Sequence, residues 1–493
     1  MRGVLLALLA TTGAPAAIEP PEQISAYIRE EMALNDIPGL SLAVVKGSHA
    51  VALAAFGVRN LATGEPMSVD TPVELASVSK AFTGLAVAEL VRSGSLRLEE
   101  PVVRYLPEFA AGDASRSNRI EVRHLLRHTS GLSRHDDFLV PCCGRPGEND
   151  LRLAVERLRR ARLRHRPGSA FSYANSNYVL LAAIIERVSG EPFADFMRRR
   201  VFAPLGMHRT TLEEGQARAW GKAAGHERRW GRMVPETAAF TGWPGASQVK
   251  STARDLALFL AAMLGPRGEL WRKTLQEATA TAQSHFLYDW GWFVRPSEDW
   301  LTASPVIEHG GDLWSGNTAV LLAPRQGLGV AVLINAGVRR AQPISRGVLL
   351  RALGRPGPRP ARQAWTRQTD NWAIAFTLSG LCLLIAAALR IGRLLREWRC
   401  GLRRLGLSDN RWERARVILM LAMSAYLMGL LLTEAMPPAA ALPTSLRSAL
   451  PLLAVSTALL LASAALAGLS VPTRGRSESA PRIQPSEAGT PSR

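Results

Sequence analysis

The sequence predicts an α+β domain with one antiparallel sheet built from both chain ends and a helical subdomain between them, followed by three transmembrane helices. Two pairs of β-rich runs predict the sheet, residues 40–45 with 51–58 and residues 318–322 with 330–335. Short turn segments separate the partners of each pair, as in antiparallel hairpins. Residues 23–33 and most of the chain between the two pairs have a helical pattern. Strands at both ends with helices between them are typical of an α+β fold.

The chain begins with the pattern of a secretory signal peptide. Met1-Arg2 is a basic start, residues 4–10 are apolar, and Ala14-Pro15-Ala16 resembles a cleavage site. We therefore expect residues 1–17 to direct the following domain out of the cytoplasm, either as a cleaved peptide or as a retained anchor.

Ser77-Val78-Ser79-Lys80 places a serine and a lysine three residues apart at the start of a predicted helix. Side chains at this spacing share one helix face, so the lysine amine can hydrogen-bond the hydroxyl and help to remove its proton. The apolar run 80–91 buries this helix, and its N-terminus favours negative charge. The pattern indicates a nucleophilic serine.

A second Ser-x-x-Lys, formed by Ser247 and Lys250, competes for this role. The residues after it, 251–255, are typical of a helix cap, and no Tyr-x-Asn follows. The sequence therefore favours Ser77.

Two later motifs complete the set. Tyr173-Ala174-Asn175 offers a second proton-transfer group and an amide that can hold a substrate carbonyl, although a core tyrosine and a structural turn are the alternatives. His309-Gly310-Gly311 has the character of a strand edge along which a substrate backbone can lie. Together these groups are what an acyl-transfer enzyme needs.

The ordered motifs resemble those of the serine β-lactamase and penicillin-binding superfamily, in its class C and D,D-peptidase branch. The resemblance covers roughly residues 22–353 and implies a β-lactamase-like hydrolase domain there. It implies the catalytic residues Ser77, Lys80 and Tyr173 and the substrate-binding residues Asn175, His309, Gly310, Gly311 and Asp312. Further phrases of the pattern are His128-Thr129-Ser130-Gly131-Leu132, Pro204-Leu205-Gly206-Met207 and Leu333-Ile334-Asn335.

The resemblance also implies a mechanism. The backbone N–H groups of Ser77 and Asp312 would stabilise the oxyanion, and either Lys80 or Tyr173 would be the acylation base. No cofactor is expected. No metal is expected either, because His124 and His128 lack the glutamate of the zincin motif.

His309 departs from the Lys-Thr-Gly found in related enzymes. Histidine is only partly charged near neutral pH, so it is a weaker fixed cation for a substrate carboxylate. Members of the resembled superfamily with histidine at this position include esterases and peptidases of other specificity, so the resemblance implies one of these rather than a classical β-lactamase or D-Ala-D-Ala peptidase.

Residues 372–471 are predicted to form three transmembrane helices, at about 372–389, 416–433 and 449–471. Each run approaches or exceeds the ~18–20 residues that cross a bilayer. Residues 390–416 carry nine arginines against three acids. By the positive-inside rule this loop lies in the cytoplasm, and the hydrolase domain lies outside. We therefore expect a multi-pass protein of the cytoplasmic (inner) membrane with its catalytic domain on the periplasmic side.

The remaining segments are assigned by composition. Residues 354–371 are a predicted linker, stiffened by the prolines of 355–360, and residues 472–493 a disordered cytoplasmic tail. The formal charge of +19 lies largely from Arg351 onward, where nineteen arginines face seven acids, so it indicates membrane topology and no nucleic acid partner. An arginine-rich run at 157–166 is interpreted as a solvated face or a lipid contact, with acidic-substrate binding as the alternative.

The leading hypothesis is a membrane-anchored, exported serine hydrolase that cleaves an amide or an ester through a Ser77 acyl-enzyme. The alternative is a penicillin-binding sensor or β-lactamase that β-lactams acylate. The expected partners are a small-molecule or peptide substrate and membrane lipid, and the oligomeric state is open. The architecture resembles periplasmic peptidases that remove an N-acyl-D-amino-acid leader, but Asn175 and Leu313 differ from their pocket residues.

Overall fold

The protein is described by a computed structural model whose contacts divide it into two compact units. One unit comprises Met1–Asn371 with Pro438–Ser445, and the other comprises Trp372–Pro437 with Leu446–Arg493. The described residues are 17–111, 114–140, 150–229, 232–236, 243–268, 287–295, 305–405, 411–412, 414–415, 417–421, 444–468 and 470–472. The predicted signal peptide up to residue 16, the tail from residue 473 onward, and Cys142 and Cys143 lie outside them.

A long run of helices separates the first strands of the chain from the later ones. The α-helices are α1 Glu22–Asn35, α2 Ser79–Arg92, α3 Val102–Tyr105, α4 Ala114–Ser117, α5 Val122–Leu126, α6 Leu151–Leu158, α7 Asn175–Ser189, α8 Phe193–Phe196, α9 Glu214–Ala219, α10 Ala253–Leu264, α11 Ala341–Ala352, α12 Ala364–Arg399 and α13 Thr444–Gly468. The strands are β1 Gly39–Lys46, β2 His49–Gly57, β3 Val73–Glu74, β4 His226–Arg229, β5 Arg232–Pro235, β6 Lys250–Ser251, β7 Leu287–Asp289, β8 Trp292–Arg295, β9 Val306–Asp312, β10 Asn317–Ala323, β11 Leu328–Ile334, β12 Arg403–Leu405 and β13 Ser470–Pro472.

Seven strands form one antiparallel sheet in the order β2-β1-β11-β10-β9-β8-β7. The two predicted hairpins are present, and β1 pairs with β11 from Leu40↔Ile334 to Lys46↔Leu328. The first and last strands therefore meet in the middle of the sheet. This confirms the predicted α+β class with a large antiparallel sheet.

Both faces of the central strands are covered. On one face, α1 and α11 pack through residues such as Ile28 and Ile344. The helical subdomain covers the other face, and its core includes Phe82, whose ring lies 4.2 Å from that of Phe259 and 5.7 Å from that of Phe202. Because both faces are buried, β10 and β11 are buried along their whole length and do not alternate between apolar and polar residues; only Asn317 and Thr318, at the start of β10, are polar.

Gly84 lets the turn between β7 and β8 pack directly against α2. A Cβ at Gly84 would lie 2.1 Å from the Trp290 carbonyl oxygen, and one at Gly291 would lie 2.3 Å from the Lys80 carbonyl oxygen. Only glycine allows this approach without moving backbone. The contact fixes the helix that carries the Ser-x-x-Lys motif.

We expect Gly84→Ala to lower the free energy of unfolding by about 1–3 kcal/mol, because the added methyl group meets a backbone atom. Gly215→Ala is the matched control. Its Cβ would meet nothing within 4 Å, so we expect a gain of about 0.5–1 kcal/mol from helix propensity. Denaturant unfolding of the full chain, followed by circular dichroism, measures both. A Gly84→Ala protein as stable as the wild type would contradict the packing argument.

The segment after α11 is bound to α1 at the start of the same compact unit. The backbone N–H of Gln363 donates to Asn35 Oδ1 (2.9 Å), Asn35 Nδ2 donates to the Ala361 carbonyl (3.1 Å), and Arg362 Nε donates to the Leu34 carbonyl (3.1 Å). Helix α12 then begins at Ala364. The extended linker is therefore shorter than the predicted 354–371, because residues 364–371 contain no proline and continue the helix.

Within the described residues, one helix is long and apolar enough to cross a membrane. It spans Ile374–Arg399 and matches the first of the three predicted spans. The second predicted span lies mostly outside the described residues. The third corresponds to α13, whose apolar portion Leu452–Ala467 is shorter. Among the described residues, only the first of the three predicted spans is thus matched by a helix of sufficient length.

Candidate active site

Ser77 lies in a tight 3-10 turn, Ala76–Val78, directly before α2. The turn is strained, because Ala76 adopts a φ of 49°, a value unusual for a residue with a side chain. The Leu75 carbonyl accepts a hydrogen bond from Thr318 Oγ1 on β10 (2.7 Å), which ties the turn to the sheet. Ser77 remains partly exposed while Ser79 is buried and accepts a bond from the Val249 N–H (3.0 Å). Ser77 is therefore accessible, whereas Ser79 holds the start of α2 against Val249.

Lys80 is fully buried one turn further along α2. Its Nζ lies 3.2 Å from Ser77 Oγ, 2.7 Å from Asn175 Oδ1 and 3.0 Å from the Ala246 carbonyl oxygen. Burial lowers the pKa of Lys80 from 10.5 to about 7, against the opposing attraction of the Asp137 carboxylate. A large fraction of Lys80 is therefore neutral near physiological pH.

A neutral Lys80 amine can satisfy the hydrogen bonds to its three neighbours in only one arrangement. A neutral amine has two N–H donors and one lone pair, whereas the Asn175 and Ala246 oxygens can only accept. The two N–H groups therefore point to these oxygens. The lone pair is left facing the Ser77 hydroxyl at 3.2 Å, which is the arrangement a base needs to take a proton.

Asn175 is the first residue of α7, and the loop 133–137 fixes this helix end. The buried Asp137 accepts hydrogen bonds from Ser176 N (2.8 Å) and Ser176 Oγ (2.7 Å). Burial raises the pKa of Asp137, while these bonds and Lys80 oppose the rise. Asp137 thus caps α7 and places a carboxyl group near Lys80.

Tyr173 stands beside both members of the Ser-x-x-Lys pair. Lys80 Nζ lies 4.9 Å from the centre of its ring, and the His128 ring packs against it at 4.3 Å. Burial raises the pKa of Tyr173 above its usual 10, and a hydrogen bond with the Ser77 side chain opposes this rise. The phenol therefore keeps its proton at neutral pH and can donate it.

His309 is buried and neutral. Its Nδ1 lies 2.8 Å from the Gly310 carbonyl oxygen, which can only accept, so Nδ1 carries the proton. Its Nε2 then accepts from the Tyr288 hydroxyl at 3.2 Å. Burial, reinforced by the charge of Lys80, lowers the pKa of His309 to about 3. The sequence predicted a partly charged histidine, but the folded site leaves it uncharged.

Strand β9 brings Gly310, Gly311 and Asp312 to the same site. A Cβ at Gly311 would lie 2.1 Å from the Leu75 carbonyl oxygen, so only glycine lets the strand approach the serine turn. Strand β8 pairs with β9 only from Val306 to Glu308, which leaves the edge at 309–312 uncovered by it. Leu313 N–H donates to Gly316 across the β9–β10 turn (2.8 Å). Because successive amides alternate in direction, the Asp312 N–H faces away from β10.

The other serine, lysine and histidine residues considered from sequence make local structural contacts. Ser247 accepts a hydrogen bond from Trp243 N–H (2.9 Å), and Lys250 Nζ donates to the Leu212 carbonyl (3.1 Å), so this second pair holds loops together. Thr252 caps α10 as expected, accepting from Asp255 N–H at 3.1 Å. His124 acts at the N-terminus of α5, where its Nδ1 accepts from Glu121 N–H (3.1 Å).

Sequence reasoning missed four residues around the site: Arg134, Asp137, His128 as a packing partner, and Tyr288. Arg134 is exposed, with its guanidinium 5.4 Å from the Tyr173 ring centre. His128 adopts a φ of 54° and accepts from the Ala174 N–H at 3.3 Å. The only available signal was the position of Arg134 and Asp137 directly after the 128–132 phrase.

Comparisons with known proteins agree with the architecture. A protein-family model described as Beta-lactamase matches residues 24–353. Protein flp from Staphylococcus aureus (strain MW2) is 28% identical over 322 residues, which cover 64% of this chain and 63% of that protein. Penicillin-binding protein 4 from Amycolatopsis lactamdurans is 34% identical over 181 residues, covering 36% of this chain and 46% of that protein. The chain thus matches 63% of the length of the first of these curated relatives.

Two solved structures share the fold. The octameric penicillin-binding protein homologue from Pyrococcus abyssi superposes with a TM-score of 0.60 at 26% identity, covering 68% of this chain and 78% of that one. A beta-lactamase/D-alanine carboxypeptidase from Pseudomonas syringae superposes with a TM-score of 0.55 at 22% identity, covering 68% and 99%. The second likeness is one of fold alone.

Proposed function

Because the chain belongs to the beta-lactamase family, we propose that it is a serine hydrolase that cleaves an amide or an ester through a covalent acyl-enzyme on Ser77. The observation that supports this most is the geometry of Lys80. Its pKa of about 7 and its contact of 3.2 Å with Ser77 Oγ provide a neutral base aimed at the nucleophile.

In the acylation step, Ser77 Oγ attacks the substrate carbonyl carbon and its proton passes to Lys80. The new Oγ–C bond forms as the carbonyl becomes an oxyanion. Collapse of this intermediate breaks the bond to the leaving amine or alcohol, which takes up a proton. Tyr173 is suited to the role of donor here, because its raised pKa keeps the phenol protonated. Lys80 then returns to Tyr173 the proton that it took from Ser77, which restores a neutral amine and a protonated phenol before deacylation.

The oxyanion needs preorganised donors, each worth about 3–4 kcal/mol in related chemistry. We assign the backbone N–H groups of Ser77 and Asp312 to this role. The outward direction of the Asp312 amide, at the uncovered end of β9, supports the assignment. Asn175 Oδ1 is bonded to Lys80 (2.7 Å), and its amide N–H₂ is left to contact the substrate.

In the deacylation step, water attacks the acyl carbon and its proton passes to Lys80 or Tyr173. The Oγ–C bond then breaks and Ser77 regains its proton. The full chain would be tested with a small panel: nitrocefin, p-nitrophenyl esters, N-acyl-D-amino-acid amides and D-Ala-D-Ala peptides. Turnover of an ester or amide is the expected result, and no turnover of any member would contradict the proposal.

The second candidate function is that of a penicillin-binding sensor or a β-lactamase. The names of the relatives favour it, since they include a penicillin-binding protein and, among the solved structures, a penicillin-binding protein homologue. Stoichiometric labelling by a fluorescent penicillin without recovery of free enzyme would support a sensor, and rapid turnover of nitrocefin a β-lactamase. The neutral His309 on β9 supplies no positive charge to the carboxylate of a β-lactam.

We also propose that the segment after residue 363 anchors the enzyme at the outer face of the inner membrane without supplying catalytic groups. The apolar helix Ile374–Arg399, the arginine-rich loop and the signal-peptide pattern support this. Such a topology has the three predicted spans in residues 372–471.

A shortened chain tests this anchoring role. A protein of residues 17–363 keeps the linker bonds to Asn35, so we expect its kcat/KM on a small soluble ester to stay within about twofold of the full chain. It should lose rate only on substrates that partition into lipid. A well-folded shortened protein, as judged by circular dichroism, that hydrolyses nothing accepted by the full chain would show that the membrane segment belongs to the active enzyme.

A further inference from the structure

The basic groups inside the site offer no accessible positive charge to a substrate. His309 is neutral and both of its ring nitrogens are hydrogen-bonded within the protein. Lys80 is fully buried beneath Ser77 and Tyr173, and its amine is engaged by Ser77, Asn175 and the Ala246 carbonyl. An anionic group on a substrate must therefore find its counter-charge elsewhere.

Arg339, near the end of β9, is already opposed by a carboxylate. Its Nε lies 3.9 Å from Asp312 Oδ2, and the attraction of Arg339 opposes the rise in the pKa of Asp312 that burial causes. The adjacent acid would repel a second anion at this position. The end of β9 therefore provides little net attraction for a negatively charged substrate.

Arg134 supplies a positive charge at the entrance instead. Its side chain is exposed, and its guanidinium lies 5.4 Å from the centre of the Tyr173 ring. Among the ion pairs of the described residues, none includes Arg134. Its charge also reaches the groups around the site, since it lowers the pKa of Lys80, of Tyr173 and of Asp312, although no ion pair joins it to Asp312. The guanidinium is thus close to the reacting atoms and available to a ligand.

The loop that carries Arg134 is held on both sides. Ser133 N–H donates to Asp136 Oδ2 (2.7 Å), and Asp137 is bonded to the start of α7. Arg164 N–H donates to the Gly131 carbonyl (2.8 Å), and Arg164 Nε donates to Ser133 Oγ (3.2 Å). The arginine-rich run 157–166 therefore borders the same loop. These bonds fix the position of the loop relative to the start of α7.

We propose that Arg134 is a specificity-determining residue that binds an anionic group of the substrate, a carboxylate in the first instance, beside the scissile bond. The inference rests on the proposed function, because it names the substrate class of the same site. A guanidinium binds a carboxylate with two parallel hydrogen bonds, and stacking on Tyr173 would orient its plane. The substrate is then an anionic ester or amide. Its positive counter-charge is the guanidinium of Arg134 rather than a cation on β9.

A pair of substrates that differ in one charge tests this inference on the full chain. The mono-p-nitrophenyl ester of glutaric acid carries a free carboxylate, and its methyl ester is neutral with nearly the same shape. The readout is the ratio of kcat/KM for the anionic ester to that for the neutral one. We expect Arg134→Gln to lower this ratio about tenfold to a hundredfold, mostly through KM, because charged hydrogen bonds are lost.

Two further variants make the result specific. Arg134→Lys keeps the charge but not the fork of donors, so its ratio should fall between those of the wild type and Arg134→Gln. Arg160→Gln removes one exposed charge from the neighbouring run and should leave the ratio within about twofold. Arg134 is exposed, so we expect both of its variants to unfold at the wild-type temperature.

The outcomes separate cleanly. An unchanged ratio in Arg134→Gln, or an equal fall in Arg160→Gln, would overturn the inference, the latter because the effect would be one of general surface charge. Equal losses on both esters also leave the ratio unchanged; in that case Arg134 would act through Tyr173 and not on the substrate charge. Hydrolysis that survives Ser77→Ala would instead overturn the proposed function, and this inference with it.

Discussion

Replacement of Ser77 by alanine is expected to lower the hydrolysis rate of the full chain by about 10⁴–10⁶-fold, the range found when a serine nucleophile is removed. The effect is large because the neighbouring Ser79 cannot replace it. Ser79 is turned into the core, where it accepts a hydrogen bond from the Val249 N–H (3.0 Å). The residual rate would come from the oxyanion donors and substrate binding alone.

Ser247→Ala is the matched control for this prediction. It removes the serine of the competing Ser-x-x-Lys pair, whose hydroxyl accepts from the Trp243 N–H (2.9 Å). We expect it to retain hydrolysis. Steady-state assays on one ester, with the unfolding temperature of each protein, compare the two variants. A Ser77→Ala protein with more than about a tenth of the wild-type rate would contradict the assignment.

Replacement of Lys80 by methionine is expected to lower kcat/KM by about 10²–10⁴-fold, the usual contribution of general base catalysis. The wild-type profile carries a second signature. Since the amine acts as a base only when neutral, kcat/KM should be low below the Lys80 pKa of about 7 and rise to a plateau above it. Rates measured across the neutral pH range test this. A flat profile there, or the same rising limb in Lys80→Met, would exclude Lys80 as the base.

The same shift links the fold to pH. Lys80 has a folded pKa of about 7 and an ordinary value of 10.5. Between these values the unfolded chain binds more protons, so the stability of the folded state rises with pH in this window. The slope is at most about 1.4 kcal/mol per pH unit for one group. Below a pH of about 7 both states bind the proton, and this contribution to the pH dependence ends.

The sheet could be predicted from sequence because its hairpins are local. Residues 40–58 and 318–335 each contain two strands and their turn, so pairing inside each hairpin needs no distant information. The pairing of β1 with β11 follows from the prediction that the hairpins at the two ends of the domain belong to one sheet. The strand edge predicted at residues 309–311 is part of β9, but β8 and β7 beyond it were not predicted, because they are only four and three residues long.

The candidate catalytic motifs could likewise be found from sequence because each is short. Ser77 with Lys80, and Tyr173 with Asn175, carry their chemistry within single short motifs. The residues that surround these motifs in the folded protein could not be predicted from the sequence. The charge state of His309 depends on Tyr288, which lies on another strand, and on a degree of burial that no local pattern reveals. Arg134 acts through its position over Tyr173, a contact between two distant loops.

The most direct test of the central claim is to trap the covalent intermediate and locate it. The full chain would be treated with a p-nitrophenyl phosphonate, which mimics the tetrahedral intermediate and leaves a stable adduct on a nucleophilic serine. Intact-mass analysis and peptide mapping then identify the modified residue. We predict one adduct per chain, on Ser77, absent in Ser77→Ala and present in Ser247→Ala. An adduct on any other residue, or unchanged labelling of Ser77→Ala, would contradict a Ser77 acyl-enzyme.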